Sequence, residues 1–204
     1  MTSYPQAGGP RLADFLDVLP ILTRWLAGHT VVWQTGQQDG LEQPNPSHHT
    51  HCSAFAAAVA MYLDIYLLRP PNHGQTLLAN AQTQWLSGEG SFSGPTAASA
   101  DWTALGMSGD PGALAACLEA ATKGQLVLAC YEATSPTPGH VAIVRPAKEG
   151  NTTVPSDGPE VIMAGDHNYT AISMRRAFSN HPAAWPNNIA LFAHDTALQH
   201  DAGS

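Results

Sequence analysis

The stretch SHHTHCSAFAAAVAMYLDIYLL, residues 47–68, places Cys52 at the mouth of a long apolar segment, directly after a group of histidines. From Ser53 to Leu68 the segment is apolar almost all round, which predicts a buried helix rather than a surface helix. The prolines of RPP, residues 69–71, should end this helix because proline cannot continue the hydrogen-bond ladder. Since the free N–H groups at a helix start favour a thiolate, we expect this position to lower the pKa of Cys52.

Three further helices are predicted by pattern on either side of this segment. Apolar residues at helical spacing indicate a helix over residues 12–27, which Pro20 should kink or split. GQTLLANAQTQWLSG, residues 74–88, predicts another. DPGALAACLEAATKG, residues 110–124, predicts the last, with a proline in its first turn and a glycine just past its end. The Gly-, Gln-, Pro- and His-rich residues 34–50 are typical of a loop.

After residue 124 the pattern changes to short β-type runs separated by Pro, Gly or Asn. AISMRRAF, residues 171–178, predicts a short helix between the last two runs. Helices first and strands second favour an α+β fold, with N-terminal helices packed on an antiparallel sheet and residues 1–204 forming one domain. The four runs are QLVLACYEA (125–133), HVAIVRPA (140–147), EVIMAG (160–165) and NIALFAHD (188–195).

Composition excludes several classes of partner. The formal net charge is −8 and the basic residues form no cluster, so nucleic acid and anionic membrane surfaces are poor partners. No apolar run reaches membrane-spanning length, which predicts no transmembrane segment. The N-terminus carries acidic residues and prolines where a signal peptide would not, so we expect a protein that is cytoplasmic or exported without a classical signal peptide. The oligomeric state stays open.

Cysteine usage singles out Cys52. The chain has three cysteines and no CxxC pair, so it cannot build a closed disulfide framework. Cys117 and Cys130 lie inside apolar runs, where a free cysteine usually acts as a small core residue. Only Cys52 is predicted to lie at a helix start, which makes it the candidate nucleophile.

A cysteine nucleophile also needs a base and a group that orients the base. His140 opens a predicted strand after a Pro-Gly turn, from which it can project toward a facing helix. Asp166 and Asn168 stand at the end of the next predicted strand. Because neighbouring antiparallel strands would bring His140 and Asp166 side by side, these residues form a candidate catalytic group with Cys52.

Three stretches resemble the papain-like cysteine peptidases and amidases of bacteria, especially the CHAP and NlpC-type families. HTHCSAFAAAVA is similar to their nucleophile helix, and GHVAIVRP to the strand whose histidine is the general base. VIMAGDHNY resembles the CHAP segment in which an acidic residue, one spacer and an asparagine end the following strand. The resemblance implies a papain-like fold with Cys52 as nucleophile, His140 as base and Asp166 as orienting group. Asn168 is additional polar support or the alternative orienting group.

The resemblance also implies an activity. We expect a cysteine-dependent amidase or peptidase that needs no metal or cofactor and cleaves an amide bond in a peptide or a peptidoglycan stem peptide. The Cys52 N–H and one side-chain donor, His51 or Gln34, would hold the oxyanion. The chain departs from the pattern where Asp166 replaces the usual CHAP glutamate, and where Ala54 stands in place of a glycine common in NlpC-type sequences. Residues 69–90 have no counterpart, and they could narrow the cleft and set specificity.

Three alternatives to hydrolysis remain open. An acyl or peptidyl transferase could use the same thiol, and a non-catalytic binding module could keep the fold without the chemistry. A zinc-binding module is the third possibility, because imidazole and carboxylate groups are zinc ligands. Its spacing fits no standard zinc motif. The candidate zinc ligands are His48, His49, His51, Asp166 and His167.

Overall fold

Two antiparallel sheets organise the computed structural model, which describes residues 8–42, 50–147 and 153–199. A small sheet pairs β1 (His29–Val31) with β2 (Gln38–Glu42). The main sheet has six strands in the order β3-β8-β4-β5-β6-β7, and every neighbouring pair is antiparallel. Its strands are β3 (Thr103–Met107), β4 (Leu126–Tyr131), β5 (His140–Val144), β6 (Glu160–Met163), β7 (Tyr169–Ser173) and β8 (Ala190–His194).

Helices cover both faces of the main sheet. On one face α2 packs against β5 and α3 against β4, and on the other face α4 packs against β3, β4 and β8. The central strands β4 and β5 are therefore buried on both sides and carry nearly continuous apolar sequence. The helices are α1 (Gly8–Asp17), α2 (Cys52–Tyr62), α3 (Leu78–Leu86), α4 (Pro111–Thr122) and α5 (Met174–Ala177).

The α+β class and the antiparallel sheet are confirmed, and each of the four predicted β-type runs contains a strand. The helix predicted over residues 110–124 is α4. The Asp110 carboxylate caps this helix by accepting a 2.8 Å hydrogen bond from the Gly112 N–H, and Gly124 has a φ of 90° just past its end. These elements were predictable because short-range signals, a cap, a proline and a glycine, agree with the apolar pattern.

Three predicted helices are shorter in the structure. The helix predicted over residues 74–88 covers only Leu78–Leu86. The helix predicted over residues 12–27 ends at Asp17, and turns follow, since Pro20 offers no N–H and its ring disfavours helical backbone before it. The helix predicted to run to Leu68 ends at Tyr62. Just beyond it Asp64 takes a left-handed conformation with a φ of 59°, which stops the helix before the prolines.

Sequence patterns missed strands that lie outside the main core. β2 falls within residues predicted as a loop, and β3 carried no predicted strand. The prediction of a helix over residues 171–178 is wrong in its first half. β7 continues to Ser173, and the helical part is the short α5, Met174–Ala177. β3 and β7 are the edge strands of the main sheet and are largely exposed, so neither needs the apolar pattern that reveals a strand. None of the helices described here has the length and apolar character needed to cross a membrane.

Candidate active site

Cys52 is the first residue of α2 and lies in the wall of a cavity of about 710 Å³. The side chain is 4% exposed, so the cavity reaches only its edge. Four segments form the walls: strand β1, the start of α2, residues 75–79 before and within α3, and residues 136–139 between β4 and β5. Part of the segment 69–90, which had no counterpart in the resembling families and was expected to narrow the cleft, therefore lines the same cavity as Cys52.

Two buried polar side chains of α3 hold these walls together. Asn80 Nδ2 donates to the Thr137 carbonyl oxygen at 3.0 Å, and its Oδ1 accepts from the Ala133 N–H at 3.1 Å. Gln82 Nε2 donates to the carbonyl oxygens of Ser53 at 3.1 Å and Leu68 at 2.9 Å. Asn80 thus fixes the loop between β4 and β5, and Gln82 fixes the first turn of α2.

Close packing at Gly139 completes this wall. A Cβ atom at Gly139 would lie 2.2 Å from the Tyr131 carbonyl oxygen and 2.3 Å from Asn80 Oδ1, so no other residue fits there without a backbone shift. Sequence analysis did not identify Asn80, Gln82 or Gly139 as parts of the site. The available signal was weak: two amides within the apolar pattern of α3, and a glycine before the His140 strand.

Burial dominates the chemistry of the thiol and reverses our expectation of a lowered pKa. Removal from water raises the pKa of Cys52, and hydrogen bonds from the backbone N–H groups of Val141, Ser53 and Cys52 and from the Ser53 hydroxyl offset only part of that rise. The thiol is therefore neutral at physiological pH in this arrangement. A helix start lowers a thiol pKa when the sulfur is partly solvated, and here desolvation is the larger effect.

We expect iodoacetamide to alkylate Cys52 more slowly at pH 7 than a free thiol of pKa about 8.5, because only the thiolate reacts. The rate should rise with pH. Cys117 and Cys130, both fully buried, should react later still because burial also raises their thiol pKa values and neither lines the cavity. Peptide mapping at several pH values checks this order. Rapid alkylation of Cys52 at pH 6 would contradict the buried, neutral thiol.

His140 begins β5, as predicted, but its ring packs on the far side of the sheet. Nε2 lies 3.3 Å from the Met163 sulfur, the ring meets the Phe178 ring edge-on at 4.9 Å, and it stacks on the His181 ring at 5.7 Å. Burial lowers the pKa of His140 to about 3, and the neighbouring His181 adds to this effect. The imidazole is thus neutral at physiological pH.

Strand alternation explains why the two groups do not meet. Val141 and Ile143 point into the core that contains Cys52, whereas Ala142 packs in the core that contains Met163. His140 alternates with Val141 and therefore shares the Met163 side. Across residues 50–147 no hydrogen bond joins the Cys52 thiol to the His140 ring, although the thiol accepts one from the adjacent Val141 N–H.

The predicted orienting groups have other partners. Asp166 is exposed and accepts a 2.7 Å hydrogen bond from Asn180 Nδ2. Its negative charge partly offsets the lowering of the His181 pKa that burial causes. Continuing the register of β5 and β6 places residue 165, not 166, opposite His140. The expected side-by-side contact of Asp166 with His140 is therefore not formed, and the Met163 sulfur accepts the ring N–H instead.

Asn168 ties the turns after α1 to the main sheet. Its Nδ2 donates to the carbonyl oxygens of Ile21 at 2.7 Å and Arg24 at 2.8 Å, and its Oδ1 accepts from the Gly165 N–H at 3.1 Å. None of these bonds reaches His140. In the structure Asn168 is thus a structural link and not an orienting group for the imidazole.

We expect Asn168→Ala to lower the free energy of unfolding by about 2–4 kcal/mol, because several hydrogen bonds are lost and partly buried backbone groups are left unpaired. Urea denaturation followed by circular dichroism measures this loss. Asn188→Ala is the matched control, since that side chain is exposed and donates one bond, to the Ala183 carbonyl. Equal losses for the two variants would contradict the role given to Asn168.

Of the remaining predicted residues, His51 lies in the cavity wall and Gln34 does not. His51 lines the cavity beside Cys52, and its Nε2 donates to the His29 carbonyl oxygen at 2.7 Å. Gln34 lies outside the described cavity wall, and its carbonyl oxygen accepts from the Tyr62 hydroxyl. Of the proposed side-chain donors to an oxyanion, only His51 is therefore placed next to the thiol.

The described residues form no cluster of ligands that would support the zinc-binding alternative. His48 and His49 lie outside the described residues. Within the described ranges, no group of three or more His, Cys, Asp or Glu side chains has an arrangement that could hold a metal ion. His51 is engaged with the His29 carbonyl, and Asp166 is engaged with Asn180.

Comparisons with models of known protein families and with curated proteins find no match to this chain.

Proposed function

We propose that this chain is a cysteine-dependent amide hydrolase, an amidase or peptidase of papain-like type, with Cys52 as its nucleophile. The observation that carries the proposal is the position of Cys52, at the first residue of α2 and in the wall of a cavity. A substrate carbonyl in that cavity can approach the sulfur and the N–H groups of the first helical turn together. Those N–H groups have no carbonyl acceptor within the helix and are oriented toward the sulfur, so they suit an oxyanion formed beside it.

His140 is the proposed base, on the strength of the GHVAIV resemblance. A thioether carries no proton, so the bond to Met163 makes Nε2 the protonated nitrogen and leaves the lone pair of the neutral ring on Nδ1. The chemistry requires a second backbone arrangement at the start of β5, in which the His140 side chain leaves Met163 and lies on the Val141 side of the strand. Nδ1 can then take the thiol proton as the sulfur attacks the carbonyl carbon.

The later steps follow from proton balance. The His140 imidazolium returns its proton to the leaving amine as the C–N bond breaks and the acyl group stays on sulfur. Water then attacks the thioester, giving one proton to His140, and the departing sulfur recovers a proton from the ring. A peptide or peptidoglycan stem peptide is the proposed substrate by resemblance alone.

Product analysis tests hydrolysis directly. The protein is incubated with a library of short peptides, with and without excess glycinamide, and mass spectrometry identifies the products. We expect free carboxylic acids and no glycinamide adducts, with turnover unchanged by EDTA. Glycinamide adducts as the main product would indicate a transferase instead. Loss of turnover in EDTA, restored by zinc, would overturn the metal-free mechanism.

One set of observations favours a second candidate, a non-catalytic binding module that uses the same cavity. The raised pKa of Cys52, the lowered pKa of His140 and the position of the ring on the opposite sheet face all describe two neutral, separated groups. For such a module, Cys52→Ala should bind peptides as tightly as the unchanged protein does, and neither should turn them over.

A further inference from the structure

The cavity beside Cys52 is lined mainly by apolar surface, and its described walls hold two histidines, His29 and His51, but no carboxylate, lysine or arginine. Asp, Glu, Lys and Arg are all absent from the described residues that line it, although the chain has 16 acidic and eight basic residues in all. Uncharged polar groups supply the hydrogen bonding: Thr30, Thr50, Ser53, Gln75, Thr76 and Thr137.

A charged substrate side chain in this cavity would lose hydration without gaining a counterion. That cost is large for any ion and much smaller for an amide or hydroxyl, which the threonines and Gln75 can satisfy. A basic side chain meets an additional penalty. Both α2 and α3 begin in the cavity wall, at Cys52 and Leu78, and the start of a helix carries partial positive charge.

We infer that this cavity selects an uncharged side chain, bearing an amide or hydroxyl or small and apolar, next to the bond that is cleaved. Basic side chains are rejected most strongly and acidic ones less strongly. The inference rests on the proposed function, because it takes the group beside Cys52 to be the residue flanking the scissile amide. It adds a specificity that neither the motif resemblance nor the position of the thiol provides.

Peptides that differ only in charge at one residue test this selection. Acetyl-lysine is compared with lysine, and glutamine with glutamate, at the position on each side of the cleaved bond in turn. We expect kcat/KM to be at least about 10-fold higher for acetyl-lysine than for lysine, with a smaller preference for glutamine over glutamate. Fluorescence anisotropy with Cys52→Ala measures the binding of the same peptides without turnover.

Two matched variants test whether the cavity wall causes the preference for an uncharged side chain. Thr76 is exposed and lines the cavity, so Thr76→Asp adds a carboxylate there and should reduce the preference for acetyl-lysine over lysine by about 10-fold. Ser91→Asp adds the same charge outside the cavity, beyond the other end of α3, and should leave the preference unchanged. Equal effects of the two variants would overturn the inference.

Binding and turnover separate this inference from the proposed function. If Cys52→Ala binds the lysine peptide as well as the acetyl-lysine peptide, the inference is overturned, whatever the turnover. If the selection appears in binding but the unchanged protein cleaves none of the peptides, the inference stands and the proposed hydrolase activity is refuted.

Discussion

Cys52→Ala is expected to lower kcat/KM for peptide hydrolysis by a factor on the order of 10⁴ or more, the scale of losing a catalytic nucleophile. The variant keeps the cavity and the helix N–H groups, so substrate binding should change little and the loss should appear in kcat. Initial rates on the best peptide of the library, with circular dichroism to confirm folding, measure the effect.

The matched control is Cys117→Ala. Cys117 is a fully buried thiol in α4, on the other side of the sheet from the cavity. Its loss removes one sulfur from the core and should leave kcat/KM nearly unchanged. If Cys52→Ala keeps wild-type activity, or if Cys117→Ala loses as much, Cys52 is not the nucleophile.

Acidification should destabilise the protein through His140. The pKa of the buried ring is lowered from an ordinary 6.5 to about 3, so between these values the unfolded chain binds a proton that the folded protein does not. The stability is present above pH 6.5 and is lost as the pH falls toward 3, at about 1.4 kcal/mol per pH unit. From pH 6.5 to 5 this amounts to about 2 kcal/mol, and over the whole window to about 5 kcal/mol.

Urea denaturation at pH 5 and 6.5 isolates this contribution. The unchanged protein should lose about 2 kcal/mol more than His140→Gln over that interval, because glutamine does not titrate. His181 is half-buried near Asp166 and stacks on the His140 ring, and it is present in both proteins. Identical pH dependence of the two proteins would show that His140 is not buried as a neutral ring.

The parts of the fold that could be predicted are those with short-range signals. The apolar runs of β4, β5, β6 and β8 are buried by helices, and α4 has its cap and its terminal glycine. The edge strands β3 and β7 were missed because exposed strands need no apolar face. The end of α2 at Tyr62 depends on the turn at Asp64, which no nearby proline or glycine marks.

The candidate site was only partly predictable, for a reason of sheet geometry. Sequence placed Cys52 at a helix start and His140 at a strand start, and both positions are as predicted. Which face His140 occupies depends on register, and a shift of one residue sends a side chain to the other face. The same dependence on register places residue 165, and not Asp166, opposite His140. Asn80 and Gln82 act through partners far away in sequence, which composition and periodicity do not indicate.

The central claim is that the acyl group of the substrate is transferred to the Cys52 sulfur, and acid-quenched mass spectrometry tests it most directly. The protein is mixed with a neutral peptide ester, whose faster acylation lets the thioester accumulate, and is quenched within a single turnover. We predict one acyl group on the peptide that contains Cys52 and none on those that contain Cys117 or Cys130. Ester cleavage with no adduct on Cys52, or with the adduct on another residue, would contradict the account.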